Sequence, residues 1–320
     1  MQRRQIGSLS VPVVGVGCNP FGRKIDSREA AAVVDAALDA GANFFDTADR
    51  YGYGSMAFSA PGRSEEFLGQ ALRGRRHQAL IATKFGNPRD APAGVAGSRA
   101  WVMRAAEASL RRLQTDYIDL YQMHRPDPGS AIEETLGALN ELVAQGKVRE
   151  IGCSNFTRPE LVDADTAGMG LPRRFVSVQN EYSLLCREPE NGVLPVCRER
   201  DIALVPYFPL AGGLLTGKYG QGMAPPAESR LAMYPPGRPH LGLSAPNLDR
   251  VGRLTSVAAA HGHTLLELAL SWLLAHNQVA SVIAGATRPD QVTANIAAAE
   301  CQLSAGEIAD IDRLTGQSAC

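Results

Sequence analysis

Four residues of this chain have side chains that could act together in a proton transfer. Asp46 and Tyr51 lie in the run FFDTADRYG, Lys84 lies in IATKFG, and His124 follows DLYQM. A tyrosine donates a proton to a carbonyl oxygen only if its pKa, ordinarily about 10, is brought down. A neighbouring ammonium does this because it favours the phenolate, and a carboxylate can hold the ammonium in place. The residue types therefore predict general acid catalysis by Tyr51, provided that the fold brings the four together.

The segments around these side chains predict a repeated unit of strand, turn and amphipathic helix. Short β-branched apolar runs predict strands at 13–17, 43–45, 79–83, 117–122, 148–152, 175–179, 202–206 and 280–284. Amphipathic patterns predict helices at 28–40, 64–72, 99–113, 130–145, 158–166, 190–199, 247–261, 264–276 and 304–315. Eight alternations favour an α/β fold, a (β/α)8 TIM barrel with extra C-terminal helices, over an open doubly wound sheet. The stretch 4–12 predicts an N-terminal β-hairpin at the barrel floor.

A barrel places its catalytic groups at the carboxyl ends of several strands. Six predicted strands in succession end in polar side chains, namely Asp46, Lys84, His124, Ser154–Asn155, Gln179 and Tyr207. Any one of them alone is an ordinary strand terminator, but the series indicates a polar site at one rim. The same topology predicts that Lys84 lies beside Asp46.

Composition excludes several classes of protein. The 320 residues are 45% hydrophobic and 20% charged with a formal net charge of −1, which is typical of a soluble globule and does not favour a nucleic-acid surface. No apolar stretch approaches the roughly 20 residues that span a bilayer, and the amino terminus has no signal-peptide pattern. The six cysteines are widely spaced, so we expect reduced thiols, no metal site and a cytoplasmic protein. We expect one domain over residues 1–320, and a homo-oligomer stays open.

The chain resembles the aldo-keto reductase family from about residue 12 to residue 300. The resemblance lies in FFDTADRYG, IATKFG, DLYQMHRPD, GKVREIGCSNF, VQNEYSLL, PYFPLAGGLLTGKY and IAGATRPDQVTANI. It is similar to a bacterial member of the branch that includes potassium-channel β-subunits. The resemblance implies that Tyr51 is the general acid, Lys84 lowers its pKa, Asp46 pairs with Lys84, and His124 orients the substrate carbonyl.

The family also implies an NADPH/NADP+ cofactor. Hydride transfer needs a nicotinamide ring held against the carbonyl, and Ser154, Asn155 and Gln179 offer neutral partners for its carboxamide, with Tyr207 as a stacking surface. Further cofactor contacts are implied at Pro209, Leu210, Lys218, Arg230, Gly285, Thr287, Arg288, Gln291 and Asn295. Substrate-lining candidates are Asn19, Phe21, Tyr53, Phe85 and Met123.

The sequence therefore predicts an NADPH-dependent oxidoreductase that reduces a small aldehyde or ketone. One alternative is an NADPH-binding regulatory subunit of the same fold with little turnover. A second is a Schiff-base aldolase that uses Lys84, since barrels host many chemistries. A Schiff-base lysine is desolvated or lies beside another cation, whereas the expected neighbour here is the carboxylate of Asp46.

Overall fold

A computed structural model describes residues 1–54, 56–87, 89, 93–219, 231 and 239–316. Its strands are β1 Arg3–Ile6, β2 Leu9–Pro12, β3 Val14–Gly17, β4 Phe44–Asp46, β5 Leu80–Phe85, β6 Ile118–Met123, β7 Val148–Ser154, β8 Ser177–Gln179, β9 Ala203–Leu204 and β10 Val282–Gly285. Strands β1 and β2 pair antiparallel as the predicted hairpin. The other eight are parallel in the order β10-β3-β4-β5-β6-β7-β8-β9.

Isolated bridges close this sheet between its two ends. Leu204 pairs with Val279, and Tyr207 pairs with Ile283, both in parallel. The sheet is therefore a barrel, and the predicted fold class is confirmed.

Ten α-helices are present in the described residues. They are α1 Ser27–Asp39, α2 Arg63–Ala71, α3 Arg99–Leu113, α4 Ile132–Ala144, α5 Arg158–Ala167, α6 Val193–Arg200, α7 Ala245–Ala260, α8 Leu265–Leu274, α9 Pro289–Ala298 and α10 Ala305–Thr315. Local sequence explains several starts. Asp26 accepts from the backbone of Arg28 and Glu29, and the Glu29 side chain bonds back to Asp26, which is a capping box.

The hairpin covers the floor of the barrel. Ile6, Leu9 and Val11 are buried against inward-facing residues of the barrel strands, among them Phe44 and Leu120. The guanidinium of Arg4 also donates to three carbonyl oxygens at and after the end of helix α8, at 2.6 Å from Leu274, 3.1 Å from His276 and 2.6 Å from Val279. The hairpin is thus tied to the segment between helix α8 and strand β10, which leaves the opposite rim as the place for a site.

Among the cysteines that the structure describes, four are free thiols, namely Cys18, Cys153, Cys197 and Cys301. Cys186 is disulfide-bonded, so the expectation that all six are reduced is wrong for that residue. Glu181, Cys186 and His240 form a compact group of metal-ligand types, with ligand atoms within 4.8 Å of one another. A disulfide sulfur is not a thiolate ligand, so we assign no metal to this group. In the described part of the chain, no helix has both the length and the apolar character to cross a membrane.

Candidate active site

A buried ion pair lies at the carboxyl ends of β4 and β5. Lys84 Nζ donates to Asp46 Oδ2 at 2.6 Å and to the carbonyl oxygen of Thr47 at 2.9 Å. The two charged side chains are only 1% and 3% exposed. Burial by itself lowers the pKa of Lys84, but the charges of Asp46 and Tyr51 act the other way and the net shift is upward. Lys84 is therefore a fixed ammonium.

The carboxylate of Asp46 is held from its other side by two glutamines. Gln179 Nε2 donates to Asp46 Oδ1 at 2.8 Å, and Gln122 Nε2 donates to the same atom at 3.3 Å. Both glutamines are buried at the ends of β8 and β6. Residues from strands β4, β5, β6 and β8 thus hold the carboxylate of Asp46 in place, and this carboxylate in turn fixes the position of the Lys84 ammonium.

Tyr51 is the phenol that this ammonium faces. Its hydroxyl oxygen lies 3.4 Å from Lys84 Nζ, and the ammonium also lies 4.8 Å from the centre of the ring. An ammonium at this distance favours the phenolate over the phenol, which is what a proton donor near neutral pH requires. The structure therefore brings Asp46, Lys84 and Tyr51 together as the sequence predicts.

His124, at the end of β6, is the fourth member of the group. Its ring meets that of Tyr51 edge-on, with 5.8 Å between the ring centres. Burial and the positive charges of Lys84, Arg125 and Arg50 lower the pKa of His124 to about 3. The imidazole is therefore neutral at ordinary pH, and a neutral ring can orient a carbonyl without competing with Tyr51 for the proton transfer.

These side chains open onto one cavity of about 200 Å³. The residues that line it are Gly17, Asn19, Pro20, Asp46, Tyr51, His124, Arg125, Ser154, Asn155, Gln179, Tyr207, Phe208, Ile283 and Gly285. The lining comes from the ends of most barrel strands, so the cavity lies at the rim opposite the hairpin.

Asn155 joins two parts of the cavity wall. Its side-chain nitrogen donates to the carbonyl oxygen of His124 at 2.9 Å, and its Oδ1 accepts from the hydroxyl of Tyr207 at 2.8 Å. Its backbone has φ 61°, in the left-handed region that side chains other than glycine rarely adopt. Strain of this kind persists where surrounding contacts hold it, often at functional sites.

Some of the predicted cofactor residues line this cavity and others do not. Ser154, Asn155, Gln179, Tyr207 and Gly285 line the cavity. In this structure the Ser154 hydroxyl donates to the carbonyl oxygen of Gln179 at 2.7 Å. Pro209 is buried, Leu210 is half-buried, and Lys218 is exposed just after them. Arg230 lies outside the described residues.

The segment after β10 leads into helix α9. Gln291 Oε1 accepts from the backbone nitrogen of Thr287 at 2.8 Å, and Asn295 is buried one turn further on. Arg288 is the residue before the helix, and its guanidinium makes two hydrogen bonds, of 3.0 and 2.9 Å, to the carboxylate of Asp290. Both side chains are more than 60% exposed, so this pair holds the guanidinium weakly.

The structure places only one of the predicted substrate residues on the cavity wall. Asn19 lines the cavity, whereas Phe21 and Phe85 are 0% exposed core residues and Met123 is 1% exposed. Tyr53 is 61% exposed and lies outside the cavity lining. Sequence reasoning missed Arg125, Pro20, Phe208 and Ile283 as wall residues. For Arg125 a signal existed, because it directly follows His124 at a strand end.

Comparison with known proteins agrees with this geometry. The model of the Aldo/keto reductase family matches residues 13–315. A solved aldo-keto reductase from Bacillus halodurans, in its holo form, superposes with a TM-score of 0.79 and 34% identity, over 100% of this chain and 98% of the other.

Curated relatives have different names. A protein of Arabidopsis thaliana named "Probable voltage-gated potassium channel subunit beta" is 35% identical over 94% of this chain and 92% of its own length. A fission yeast (Schizosaccharomyces pombe) aldo-keto reductase named for NADP(+) is 33% identical over 96% and 89%. The L-glyceraldehyde 3-phosphate reductase of Escherichia coli is 32% identical over 98% and 92%.

A parallel barrel with a buried lysine–aspartate pair beside a tyrosine at its rim defines a class of barrel oxidoreductases. This chain belongs to the aldo/keto reductase family. The predicted family and the predicted enzyme class, an oxidoreductase, are thereby confirmed. The relative named for NADP(+) agrees with the predicted NADPH/NADP+ cofactor.

Proposed function

We propose that this protein reduces an aldehyde or ketone to an alcohol with NADPH as the reductant. One observation carries the proposal: Tyr51, paired with the buried Lys84–Asp46 ion pair at 3.4 Å, faces a cavity whose other polar wall is a neutral histidine. Bound NADPH supplies the hydride. Residues of this chain donate the proton and orient the substrate carbonyl.

Tyr51 gives its proton to the carbonyl oxygen as the negative charge develops there. Lys84 Nζ stabilises the phenolate that remains, because it lies 3.4 Å from the phenol oxygen and stays charged. Asp46 keeps the ammonium at this point instead of letting it turn toward solvent. His124 orients the carbonyl within the cavity that it lines together with Tyr51.

The residues along β7 to β10 fit a dinucleotide. Ser154, Asn155 and Gln179 offer amide and hydroxyl groups of the kind that hold a carboxamide, and the half-buried Tyr207 offers a ring. Thr287 and Arg288 precede helix α9, where backbone N–H groups and the helix dipole favour an anion such as a phosphate. Lys218 offers a further cation, 5.3 Å from the ring of Tyr219.

The test is Tyr51→Phe, assayed with 4-nitrobenzaldehyde by the loss of NADPH absorbance. We expect the rate of the chemical step to fall by roughly 10²–10⁴, the usual contribution of general acid catalysis. The affinity for NADPH, followed by quenching of protein fluorescence, should stay close to that of the unchanged protein, because the hydroxyl acts on the transition state. A Phe variant with more than about a third of the original single-turnover rate would refute the assignment of Tyr51 as donor.

A second candidate function is an NADPH-binding regulatory subunit with little turnover. The similarity to the plant protein named as a potassium-channel subunit favours it. The same assay separates the two candidates, because a regulatory subunit would bind NADPH and leave a panel of aldehydes and ketones unreduced.

A further inference from the structure

The charged side chains on the cavity wall do not all cancel one another. Two of the lining residues have charged side chains, Asp46 and Arg125. The charge of Asp46 is matched by Lys84 at 2.6 Å, and His124 is neutral because its pKa is about 3. The net charge that the wall offers to a molecule inside is therefore positive, and it comes from Arg125.

The carboxylate nearest to Arg125 in the sequence is occupied elsewhere. Asp127 accepts from the backbone nitrogen atoms of Gly94 at 2.8 Å and Gly97 at 3.0 Å, and from the hydroxyl of Ser130 at 2.8 Å. Burial opposes its charge, but these hydrogen bonds prevail and the pKa of Asp127 is lowered. Within the part of the chain that the structure describes, Arg125 makes no ion pair and donates no hydrogen bond.

The backbone that carries Arg125 is fixed on both sides. The backbone nitrogen of His124 donates to Phe85 at 2.7 Å, and the carbonyl oxygen of His124 accepts from Asn155 at 2.9 Å. On the other side Pro126 restricts the chain, and the bonds of Asp127 hold the turn. The backbone of Arg125 is therefore fixed beside the carbonyl-orienting histidine, and its side chain, which is exposed, lines the cavity.

A second arginine acts on the same histidine. Arg50 acts with Arg125 to lower the pKa of His124, so its charge is also felt at this wall. Its guanidinium lies 5.4 Å from the ring centre of Tyr53, at the exposed edge of the site. A cleft with one sign of charge raises the local concentration of ligands of the other sign.

We propose that Arg125 binds an oxyanion group of the substrate, a carboxylate or a phosphate, at a distance from the carbonyl that is reduced. The inference rests on the proposed function and specifies its substrate class as small anionic aldehydes or ketones. A guanidinium suits this role because its planar fork binds carboxylate and phosphate oxygens in pairs. Tyr51 and Arg125 line the same cavity of about 200 Å³, so the carbonyl and the anion of one substrate would lie within one short skeleton.

The experiment compares two aldehydes of similar shape, 4-carboxybenzaldehyde and the neutral 4-nitrobenzaldehyde, on three proteins. These are the unchanged protein, Arg125→Met, and the matched control Arg28→Met, which removes the same charge from the exposed start of helix α1. The measured quantity is the ratio of kcat/KM for the carboxylate to kcat/KM for the neutral aldehyde. We expect Arg125→Met to lower this ratio roughly 10- to 100-fold, as for a lost charged hydrogen-bond pair. Arg28→Met should leave the ratio unchanged.

Three further measurements refine the outcome. Arg125→Lys should recover part of the ratio, because it keeps the charge and loses the paired geometry. Glyceraldehyde 3-phosphate against glyceraldehyde repeats the comparison for a phosphate and shows which oxyanion is preferred. In the unchanged protein the ratio should fall as salt is raised, and in Arg125→Met this dependence should flatten.

Equal losses for charged and neutral aldehydes in Arg125→Met would overturn the proposal and leave the reductase function standing. Absence of turnover with every aldehyde would instead count against the proposed function. In that case calorimetric titration of terephthalate, an unreactive dianion, into the protein loaded with NADP+ still tests Arg125. Binding that Arg125→Met removes and Arg28→Met retains supports the anion site, and binding that both retain overturns it.

Discussion

Replacing Lys84 with methionine should destabilise the protein and abolish its chemistry, and the structure separates these two effects. Methionine has nearly the length of lysine and no charge, so it leaves Asp46 buried and unpaired. Removing one partner of a buried ion pair typically costs about 3–5 kcal/mol. Asp46 is 3% exposed and keeps the hydrogen bonds of Gln122 and Gln179, which places the expected cost at the lower end, about 3 kcal/mol.

The double variant Asp46→Asn with Lys84→Met tests this reasoning. The asparagine oxygen can still accept from both glutamines, and no charge remains buried. We therefore expect the double variant to be more stable than Lys84→Met alone by about 1–3 kcal/mol, the cost of an unsatisfied buried group. Its reductase rate should stay as low as that of Lys84→Met, because nothing favours the Tyr51 phenolate.

Equilibrium unfolding in urea, followed by the fluorescence of Trp101 and the buried Trp272, measures the stabilities. The slope against urea should be the same for all variants, so that midpoints report stability. Rates are measured where each variant is folded. An unfolding free energy for Lys84→Met within about 0.5 kcal/mol of the original would contradict the buried pair. A double variant that regains reductase activity would contradict the role of Lys84 in acid catalysis.

Three other outcomes follow from the structure. Because the pKa of His124 falls from 6.5 to about 3 on folding, the unfolded chain binds more protons between these values, and stability falls as pH is lowered from 6.5. The unfolding free energy is measured in urea from pH 6.5 to pH 5 for the unchanged protein and for His124→Asn. The slope against pH should be smaller in His124→Asn, and the difference between the two slopes should be up to about 1.4 kcal/mol per pH unit. Arg288→Ala should weaken NADPH binding roughly 10- to 100-fold and scarcely change NADH binding, both measured by fluorescence quenching, whereas parallel losses would show that Arg288 does not recognise the 2′-phosphate. Cys18→Ala should keep the aldehyde reduction rate because this thiol is fully buried and its raised pKa keeps it protonated, and a folded but inactive variant would point to thiol chemistry.

The barrel and the four central residues could be predicted because their signals are local. Each strand is a short apolar run that ends in one polar side chain, and parallel strands in a barrel carry those ends to the same rim. That rule alone placed Lys84 beside Asp46. The predicted start of helix α1, at residue 28, lies one residue after the observed start at Ser27. Asp26 and Ser27 are both residue types that cap helices, and the capping box shows that Asp26 is the cap.

The walls of the cavity could not be predicted in the same way. Phe21 and Phe85 flank the site in sequence, yet their side chains point into the core, and Phe85 packs on Tyr121 with 4.8 Å between ring centres. Phe85 ends strand β5 directly after Lys84, so the alternation of side chains along the strand already turns it to the opposite face. Phe21 lies in the loop after β3, where the direction of a side chain depends on loop geometry that no local pattern specifies. The same holds for the contact between Gln179 and Asp46, which joins residues 133 positions apart.

The contact of Arg4 with the end of helix α8 has a consequence for synthesis of the chain. The three carbonyl oxygens that it binds lie 270 to 275 residues later in the sequence. A ribosome makes about 5–20 residues per second, so the amino-terminal hairpin waits roughly 15 seconds or more for its partners to emerge. Until then Ile6, Leu9 and Val11 have an incomplete site, and the growing chain exposes them to chaperones or to other nascent chains. The length of this wait is set by the speed of translation over the whole intervening chain, residues 5–279.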